Sequence, residues 1–189
     1  ELHKEIDSLN YKVSQGSTGR GIAPCAKDKY ARLGKRLIDI VNDDKYFKDI
    51  YYFDRTKHIM KEELNGTILC EGAQGFWLDI DKGNYPYVTS SITLPYSACS
   101  LGFPTQIIRD IYGAAKIYDT RVGVDTEFKD NLLEDSDLNN IAIIGNEFGT
   151  FTGRTRKVNW LNLDKLIEAI NLTGTGILII SKVDILEDL

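Results

Sequence analysis

The sequence predicts an α/β fold in which helices flank a mainly parallel central sheet. Its clearest helix spans residues 162–174, where four apolar side chains share one face, Asn162 can cap the start and Gly174 can end it. The apolar residues 176–181 follow as a strand without polar alternation, which indicates a buried, parallel sheet. Residues 66–70 predict a second short buried strand.

Three further segments complete this prediction. Residues 42–64 indicate a surface helix with an aromatic inner face, residues 109–123 a helix end that passes into a strand, and the acidic residues 130–140 a solvated loop. Ligands of open α/β sheets bind beyond the carboxyl ends of strands. The glycine-rich residues 71–75 and the end of strand 176–181 are therefore expected to border a ligand site.

The composition is that of a globular protein with a sizeable core, since 42% of the 189 residues are hydrophobic and 27% are charged. A net charge of −5 points neither to nucleic acid nor to an acidic membrane. No apolar run approaches the roughly 20 residues of a membrane span, and the three cysteines and two histidines lack metal-ligand spacing. Reduced thiols predict a cytoplasmic protein. The charged start resembles no signal peptide, and its first residue, Glu1, indicates a processed chain or a fragment.

The segment SKVDIL stands where the predicted strand 176–181 ends. The stem of Lys182 can lie on a purine ring while Asp184 accepts hydrogen bonds from two ring donors. Guanine offers that donor pair at N1 and N2, and adenine does not. A surface turn explains the same residues, because a three-residue motif matches often by chance.

Two glycine-rich segments are candidates for binding anions. Residues 149–157 place Arg154, Arg156 and Lys157 among threonines and glycines on an acidic protein. They indicate a site for a carboxylate or a phosphate, and the alternative is a solvated basic loop. Residues 16–24 form either a phosphate loop or a turn, and the sequence contains no Walker A motif.

A third segment, residues 71–91, is dense in glycine, amide and hydroxyl groups. Gln74 can hydrogen-bond a base or a sugar, and Thr89 can bind a phosphate. The alternative is a long structural loop that places Trp77 and Tyr87 in the core.

Two residue pairs add to these segments. Lys29 and Arg32 follow residues 16–24 on a predicted helix, and their spacing of three places them on similar faces. Asp79 and Asp81 would point the same way in an extended chain, either as a carboxylate pair or, more simply, as a strand edge.

The order and spacing of these segments resemble the adenylosuccinate synthetase family over roughly residues 16–189. The family signature GIxPxxxxKxxR appears at residues 21–32, and EGAQGxxLDIDxGxYPxVTSS appears at residues 71–91. The motifs TRVG, GNEFGxxTGRxR, WL and KxDxL then follow in the family's order. The resemblance is specific because many independent motifs agree.

The resemblance implies a P-loop-NTPase-like fold and a cytoplasmic enzyme of AMP synthesis. In this family GTP phosphorylates the 6-oxygen of IMP, and the amino group of L-aspartate then displaces phosphate to give adenylosuccinate. Mg2+ is the implied cofactor. The resemblance also implies a homodimer, in which Arg32 reaches the IMP phosphate bound by the partner subunit.

Family roles carry over onto the matching positions of this sequence. Lys29 is the implied signature lysine of the catalytic machinery. The implied contacts are Thr18, Arg32, Gln74, Thr89, Val122 and Arg154 for IMP; Thr150, Phe151, Thr152, Gly153, Arg154, Thr155 and Arg156 for L-aspartate; and Arg156, Lys182, Val183 and Asp184 for GTP. Phe151 departs from the threonine that is common in the family.

Three parts of the family pattern have no counterpart in the sequence. They are the amino-terminal phosphate loop with the catalytic base, the Gly-His-Thr with the catalytic acid, and the carboxy-terminal part of the guanine pocket. We therefore expect residues 1–189 to be the central part of a single domain, incomplete at both ends, with the Mg2+ ligands outside this chain. Such a fragment is expected not to turn over substrate by itself.

Two other functions stay open. A phage-type enzyme that joins aspartate to dGMP with ATP or dATP shares the GSTG and EGAQGF segments. Arg20, the VTSS run and the guanine-type pair of Lys182 and Asp184 favour IMP and GTP instead. The second alternative is a non-catalytic purine-nucleotide binding module, which would bind IMP or GDP without any further part.

Overall fold

The computed structural model describes residues 2–11, 16–36, 66–129, 135–149 and 153–188. Three predictions lie wholly or partly outside these ranges: the surface helix of residues 42–64, residues 130–134 of the acidic loop, and the aspartate contacts Thr150, Phe151 and Thr152. No helix within the described ranges is long and apolar enough to cross a membrane.

The described ranges contain α-helices and short 3-10 helices. The α-helices are α1 (Leu2–Asn10), α2 (Ile22–Ala31), α3 (Ser136–Ile144) and α4 (Leu163–Thr173), and the 3-10 helices are Phe76–Leu78, Pro95–Leu101, Thr105–Ile107 and Val183–Asp188. Helix α4 confirms the helix predicted at residues 162–174. The side chain of Asn162 accepts a hydrogen bond from the backbone N–H of Lys165 at 3.0 Å, and Gly174 ends the helix with φ 69°. Glycine adopts this left-handed conformation at little cost because it lacks a Cβ.

The strands in the described part of the chain form two pairs. Strands β1 (Tyr112–Lys116) and β4 (Ile177–Ser181) pair in parallel, with Tyr112 opposite Ile177 and Lys116 opposite Ser181. Strands β2 (Tyr118–Arg121) and β3 (Lys157–Trp160) pair antiparallel. Helices α3 and α4 lie between β1 and β4 in sequence. The parallel pair with its flanking helices confirms the predicted α/β class.

The buried core lies where α3 packs against the β2–β3 pair. Its members are Tyr118, Leu138, Ile141, Ala142, Val158 and Ile185, and Tyr118, Leu138, Ile141 and Val158 are at most 1% exposed. Ile185 comes from the 3-10 helix after β4, so the core also holds the chain that follows the last strand. Because the side chains in such a core are close-packed, it fixes the ends of β2, β3 and α3 relative to one another.

Two predicted buried strands are wrong in detail. Residues 66–70 are exposed and form no strand. Strand β4 forms as predicted but is exposed over most of its length, with Ile179 53% exposed. An apolar run is buried only where neighbours cover it, and within the described residues β4 pairs with β1 alone.

Two further local predictions are also wrong. Residues 136–140 form the first turns of α3 rather than a loop, because the Asp135 carboxylate accepts from the backbone N–H groups of Asp137 and Leu138 at 2.9 and 3.2 Å. Residues 109–111 form no helix end. The carbonyl of Ile111 instead accepts from the backbone N–H of Gly176 at 3.1 Å, which leads the chain into β1 beside β4.

Candidate functional site

Arg154 and the loop of residues 16–21 meet in the fold although 138 residues separate Arg154 from Gly16. The guanidinium donates to the backbone carbonyl oxygens of Gly16 at 3.1 Å and Ser17 at 3.4 Å. Gly123 packs on the same loop, since a Cβ on Gly16 would lie 3.4 Å from the Cα of Gly123. The structure thus brings together three segments, and each carries one predicted IMP contact: Thr18, Val122 or Arg154.

The loop that carries Thr89 is tied to the end of β2. The buried Arg121 donates to the backbone carbonyl of Tyr87, and its Nε lies 3.2 Å from the carboxylate of Asp125. Asn84 donates to the same carboxylate at 2.6 Å. Burial lowers the pKa of Arg121, and the negative charge of Asp125 opposes that effect. These contacts place the Thr89 loop next to the segment that begins with Val122.

Asp79 shapes the loop before Thr89. Its carboxylate is fully buried and accepts from the backbone N–H groups of Asp81 at 3.0 Å, Lys82 at 3.1 Å and Thr93 at 2.7 Å. Burial favours the neutral acid, but these hydrogen bonds prevail and hold the pKa of Asp79 below its ordinary value. Asp81 is exposed. The carboxylate-pair hypothesis is therefore wrong, because the two residues lie in a turn and not in an extended strand.

The described residues on either side of the predicted aspartate loop pair as the two arms of a hairpin. Phe148 and Thr155 form an antiparallel bridge. The backbone N–H of Gly149 donates to the carbonyl of Arg154 at 2.8 Å, and that of Gly153 donates to the carbonyl of Gly149 at 2.8 Å. The two arms of the hairpin are therefore fixed on either side of residues 150–152, and Arg154 projects from one arm toward the 16–21 loop.

Glu147 lies at the base of this hairpin and is only 3% exposed. Its carboxylate accepts from Lys116 at 2.7 and 2.6 Å and from the Tyr118 hydroxyl at 2.6 Å, and the Arg156 Nε lies 3.7 Å away. Burial favours the neutral acid, but these donors keep the pKa of Glu147 below its ordinary value. Burial also raises the pKa of Tyr118 and lowers that of Lys116. Glu147 thus pairs with Arg156, a predicted contact for aspartate and GTP.

The predicted guanine contacts lie in the chain that follows strand β4. Lys182 follows β4 in the left-handed backbone conformation, φ 65°, and donates to the carbonyl of Gly145 at 3.0 Å. That carbonyl belongs to the end of α3, where the helix dipole favours a cation. Val183 and Asp184 are exposed, so the Asp184 carboxylate is accessible to a ligand.

Other predicted site residues lie at the surface. Gln74 is exposed and has φ 63°, and Thr155 is exposed on the hairpin. Lys29 is exposed, with its Nζ 5.8 Å from the centroid of the Tyr30 ring. Arg32 ends α2 in the left-handed conformation, φ 61°, and so does not continue the helical face of Lys29 as predicted.

The described residues do not fit a Mg2+ site. Within them, no group of three or more His, Cys, Asp or Glu side chains gathers as metal ligands. The three buried carboxylates of the described residues are engaged otherwise: Asp7 by Ser17 and the Gly21 N–H, Asp79 by backbone N–H groups, and Glu147 by Lys116 and Tyr118.

Sequence reasoning missed the buried residues that hold these loops. Glu147 lies inside the GNEFG motif. A charged residue within such a motif is a signal that could have predicted a buried, paired carboxylate. Asp7 of α1 accepts from the hydroxyl of Ser17 and from the backbone N–H of Gly21 at 2.7 Å, and no motif marks it. Both roles depend on partners distant in sequence.

Comparisons with known proteins agree with the motifs. A family model described as adenylosuccinate synthetase matches residues 45–189. The adenylosuccinate synthetase of Bacteroides fragilis is 37% identical over 98% of this chain, and that of Finegoldia magna is 34% identical over 97%. The match covers 53% of each relative, so the chain spans about half the length of these curated relatives.

Solved structures show the same relationship. The fully ligated adenylosuccinate synthetase from Plasmodium falciparum superposes with a TM-score of 0.75 at 28% identity, over 98% of this chain and 53% of that one. A succinoaminodeoxyadenylate synthetase of cyanophage S-2L, bound to dGMP and dATP, superposes with a TM-score of 0.66 at 20% identity, over 99% of this chain and 58% of that one. At that identity the second likeness concerns the fold alone.

Proposed function

Because the chain belongs to the adenylosuccinate synthetase family, we propose that the protein serves the GTP-dependent ligation of L-aspartate to IMP. The γ-phosphoryl group of GTP passes to the 6-oxygen of IMP, which gives GDP and 6-phosphoryl-IMP. The amino group of aspartate then attacks C6, and phosphate leaves as adenylosuccinate forms. Mg2+ supports the phosphoryl transfer when it is bound, with ligands outside the described residues.

The contact between Arg154 and the 16–21 loop carries this proposal. Two family motifs that are far apart in sequence meet there through hydrogen bonds of 3.1 and 3.4 Å. A guanidinium presents five N–H donors in a planar fork, which suits a ribose hydroxyl or a carboxylate. Arg154 is only partly buried, so a ligand can reach it.

We assign the remaining roles by the family motifs that carry them. The IMP contacts are Thr18, Gln74, Thr89, Val122 and Arg154, with Arg32 supplied by the partner of a homodimer; the aspartate contacts are residues 150–156; and the GTP contacts are Arg156, Lys182, Val183 and Asp184. Lys29 is assigned to the catalytic machinery on its signature position. Sedimentation velocity of the chain with and without IMP tests the dimer.

The proposed guanine site follows from a pair of hydrogen-bond donors that guanine has and adenine lacks. The exposed Asp184 carboxylate can accept from N1–H and N2–H together, and adenine lacks that donor pair. Lys182 donates to the Gly145 carbonyl at 3.0 Å, and we assign its stem to the face of the guanine ring. The dGMP-using alternative places guanine in the other nucleotide site, so competition between IMP and dGMP distinguishes the two.

Arg154→Ala tests the proposal by isothermal titration of IMP into the chain. We expect the Kd to rise at least about ten-fold, since a hydrogen bond to a charged group is worth about 1.5–3 kcal/mol. Arg109→Ala is the matched control, because Arg109 is exposed and outside the site, and its Kd should not change. Equal Kd values for both variants and the wild type would contradict the proposal, and tighter binding of dGMP than of IMP would favour the phage-type reaction.

A further inference from the structure

The Asp7 carboxylate of α1 is buried beneath the 16–21 loop, with 1% of the residue exposed. Its Oδ2 accepts from the backbone N–H of Gly21 at 2.7 Å, and its Oδ1 accepts from the Ser17 hydroxyl. The Ser17 Oγ in turn accepts from the backbone N–H of Gly19 at 3.2 Å. One carboxylate therefore holds both ends of the turn that contains Thr18.

Helix α1 also explains why glycines stand at two positions of this loop. A Cβ on Gly19 would lie 2.8 Å from the Ser8 Oγ, and one on Gly21 would lie 3.0 Å from backbone atoms of His3 and Lys4. Both glycines have positive φ, 68° and 85°. Glycine is therefore needed at both positions, because the loop backbone lies close against α1 and has a left-handed conformation there.

Asp7 also compensates the start of α2. Gly21 is the N-cap of α2 and has no capping side chain of its own. The Asp7 carboxylate accepts from the backbone N–H of Gly21 itself, as the acidic residue of a capping box does for the N-cap, and a negative charge is favourable at a helix N-terminus. Asp7 therefore holds the turn from its buried side, whereas Thr18 in the same turn is exposed to solvent.

The loop that Asp7 holds is the one that holds Arg154. The carbonyl oxygens of Gly16 and Ser17 accept from the Arg154 guanidinium at 3.1 and 3.4 Å. A shift of Ser17 therefore moves an acceptor of Arg154 directly. We propose that Asp7 is a positioning residue, which sets the orientation of Thr18 and Arg154 toward IMP through the 16–21 loop; its effect on IMP rests on the function proposed above.

The test compares Asp7→Ala with Asp28→Ala in the same 189-residue chain. Both variants remove one carboxylate from the contact between α1 and α2. Asp28 pairs with His3 at 2.8 Å, but both side chains are more than a third exposed, and this bond joins Asp28 to α1 rather than to the 16–21 loop. The readouts are the Kd for IMP, the amide hydrogen exchange of Gly21, and the exchange of the Arg154 side-chain N–H groups by 15N NMR.

We expect Asp7→Ala to speed exchange at Gly21 and Arg154 and to raise the Kd for IMP about ten-fold, while Asp28→Ala leaves all three unchanged. Exchange in α4, measured at the same temperature, reports global stability and should not change. Should Asp7→Ala fail to fold, Asp7→Asn keeps one acceptor oxygen and should give a smaller change of the same kind.

The outcomes separate this inference from the proposed function. Unchanged exchange at Arg154 in a folded Asp7 variant overturns the inference, whatever happens to IMP. Faster exchange at Arg154 with an unchanged Kd also overturns it, because the orientation would then not matter to the ligand. If the wild-type chain binds no IMP, the proposed function fails, and the exchange of Arg154 alone decides whether Asp7 positions it.

Discussion

At the scale of single residues, the fold depends on carboxylates that stay ionised although they are buried. Asp79 gathers backbone N–H groups from Asp81, Lys82 and Thr93, and Glu147 gathers Lys116 and a tyrosine hydroxyl. Burial opposes ionisation in both cases, and the donors outweigh it. Such groups stabilise the fold at neutral pH and make it sensitive to acid.

The acid sensitivity has a definite sign. The pKa of folded Asp79 lies below its ordinary value of 3.8, so its contribution is present above that pH and is lost as pH falls further. We expect Asp79→Asn to lower the free energy of unfolding at pH 7 by about 2 kcal/mol and to flatten its decline in acid. Urea titrations from pH 7 down to about pH 2 measure both, because the loss falls below pH 3.8. Asp81→Asn, in the same turn but exposed, should leave the curve unchanged; equal effects of the two substitutions would contradict this account.

At the scale of elements, helices with local signals were predictable and segments with distant partners were not. Helix α4 carries its cap, its apolar face and its terminating glycine within a dozen residues, and it forms as predicted. Helix α3 was missed because its acidic start looked like a solvated loop, although Asp135 is a good cap. Residues 66–70 were predicted as a strand from an apolar run that no described strand pairs.

The cap of α4 can be tested by itself. Asn162→Ala removes the acceptor that the Lys165 N–H uses at 3.0 Å and should lower the free energy of unfolding by about 1 kcal/mol. Asn171→Ala is the control, because Asn171 is exposed within the same helix and alanine favours helix there. Urea denaturation followed by circular dichroism measures both variants. A larger loss for Asn171→Ala than for Asn162→Ala would show that the cap contributes nothing.

At the scale of the whole molecule, the buried core and the β1–β4 pair differ sharply in how much of their apolar side chains is exposed. The core around Ile141 is closed, whereas Ile179 in β4 is 53% exposed and Tyr112 in β1 is 55% exposed. A parallel pair is usually covered on both faces. Within the described residues the β1–β4 pair therefore leaves an apolar surface uncovered.

This contrast predicts opposite effects of one substitution at two isoleucines. Ile179→Lys should change the free energy of unfolding by less than about 0.5 kcal/mol and should reduce self-association, measured by static light scattering. Ile141→Lys places the same charge at a fully buried position and should prevent folding. A loss of folding at Ile179 as well would show that the β4 face is covered in solution.

The sequence by itself determined the α/β class, the α4 helix with both of its ends, and the motifs that identify the family, because each of these is written in neighbouring residues. Only the tertiary structure decided that Arg154 meets the 16–21 loop, that Glu147 pairs with Lys116, and that Asp7 holds Gly21. Each of these contacts joins residues from different segments of the chain. The sequence of neither segment contains a periodic pattern that would indicate its partner. The packing of the elements selects the partners, and a local reading of the sequence therefore misses them.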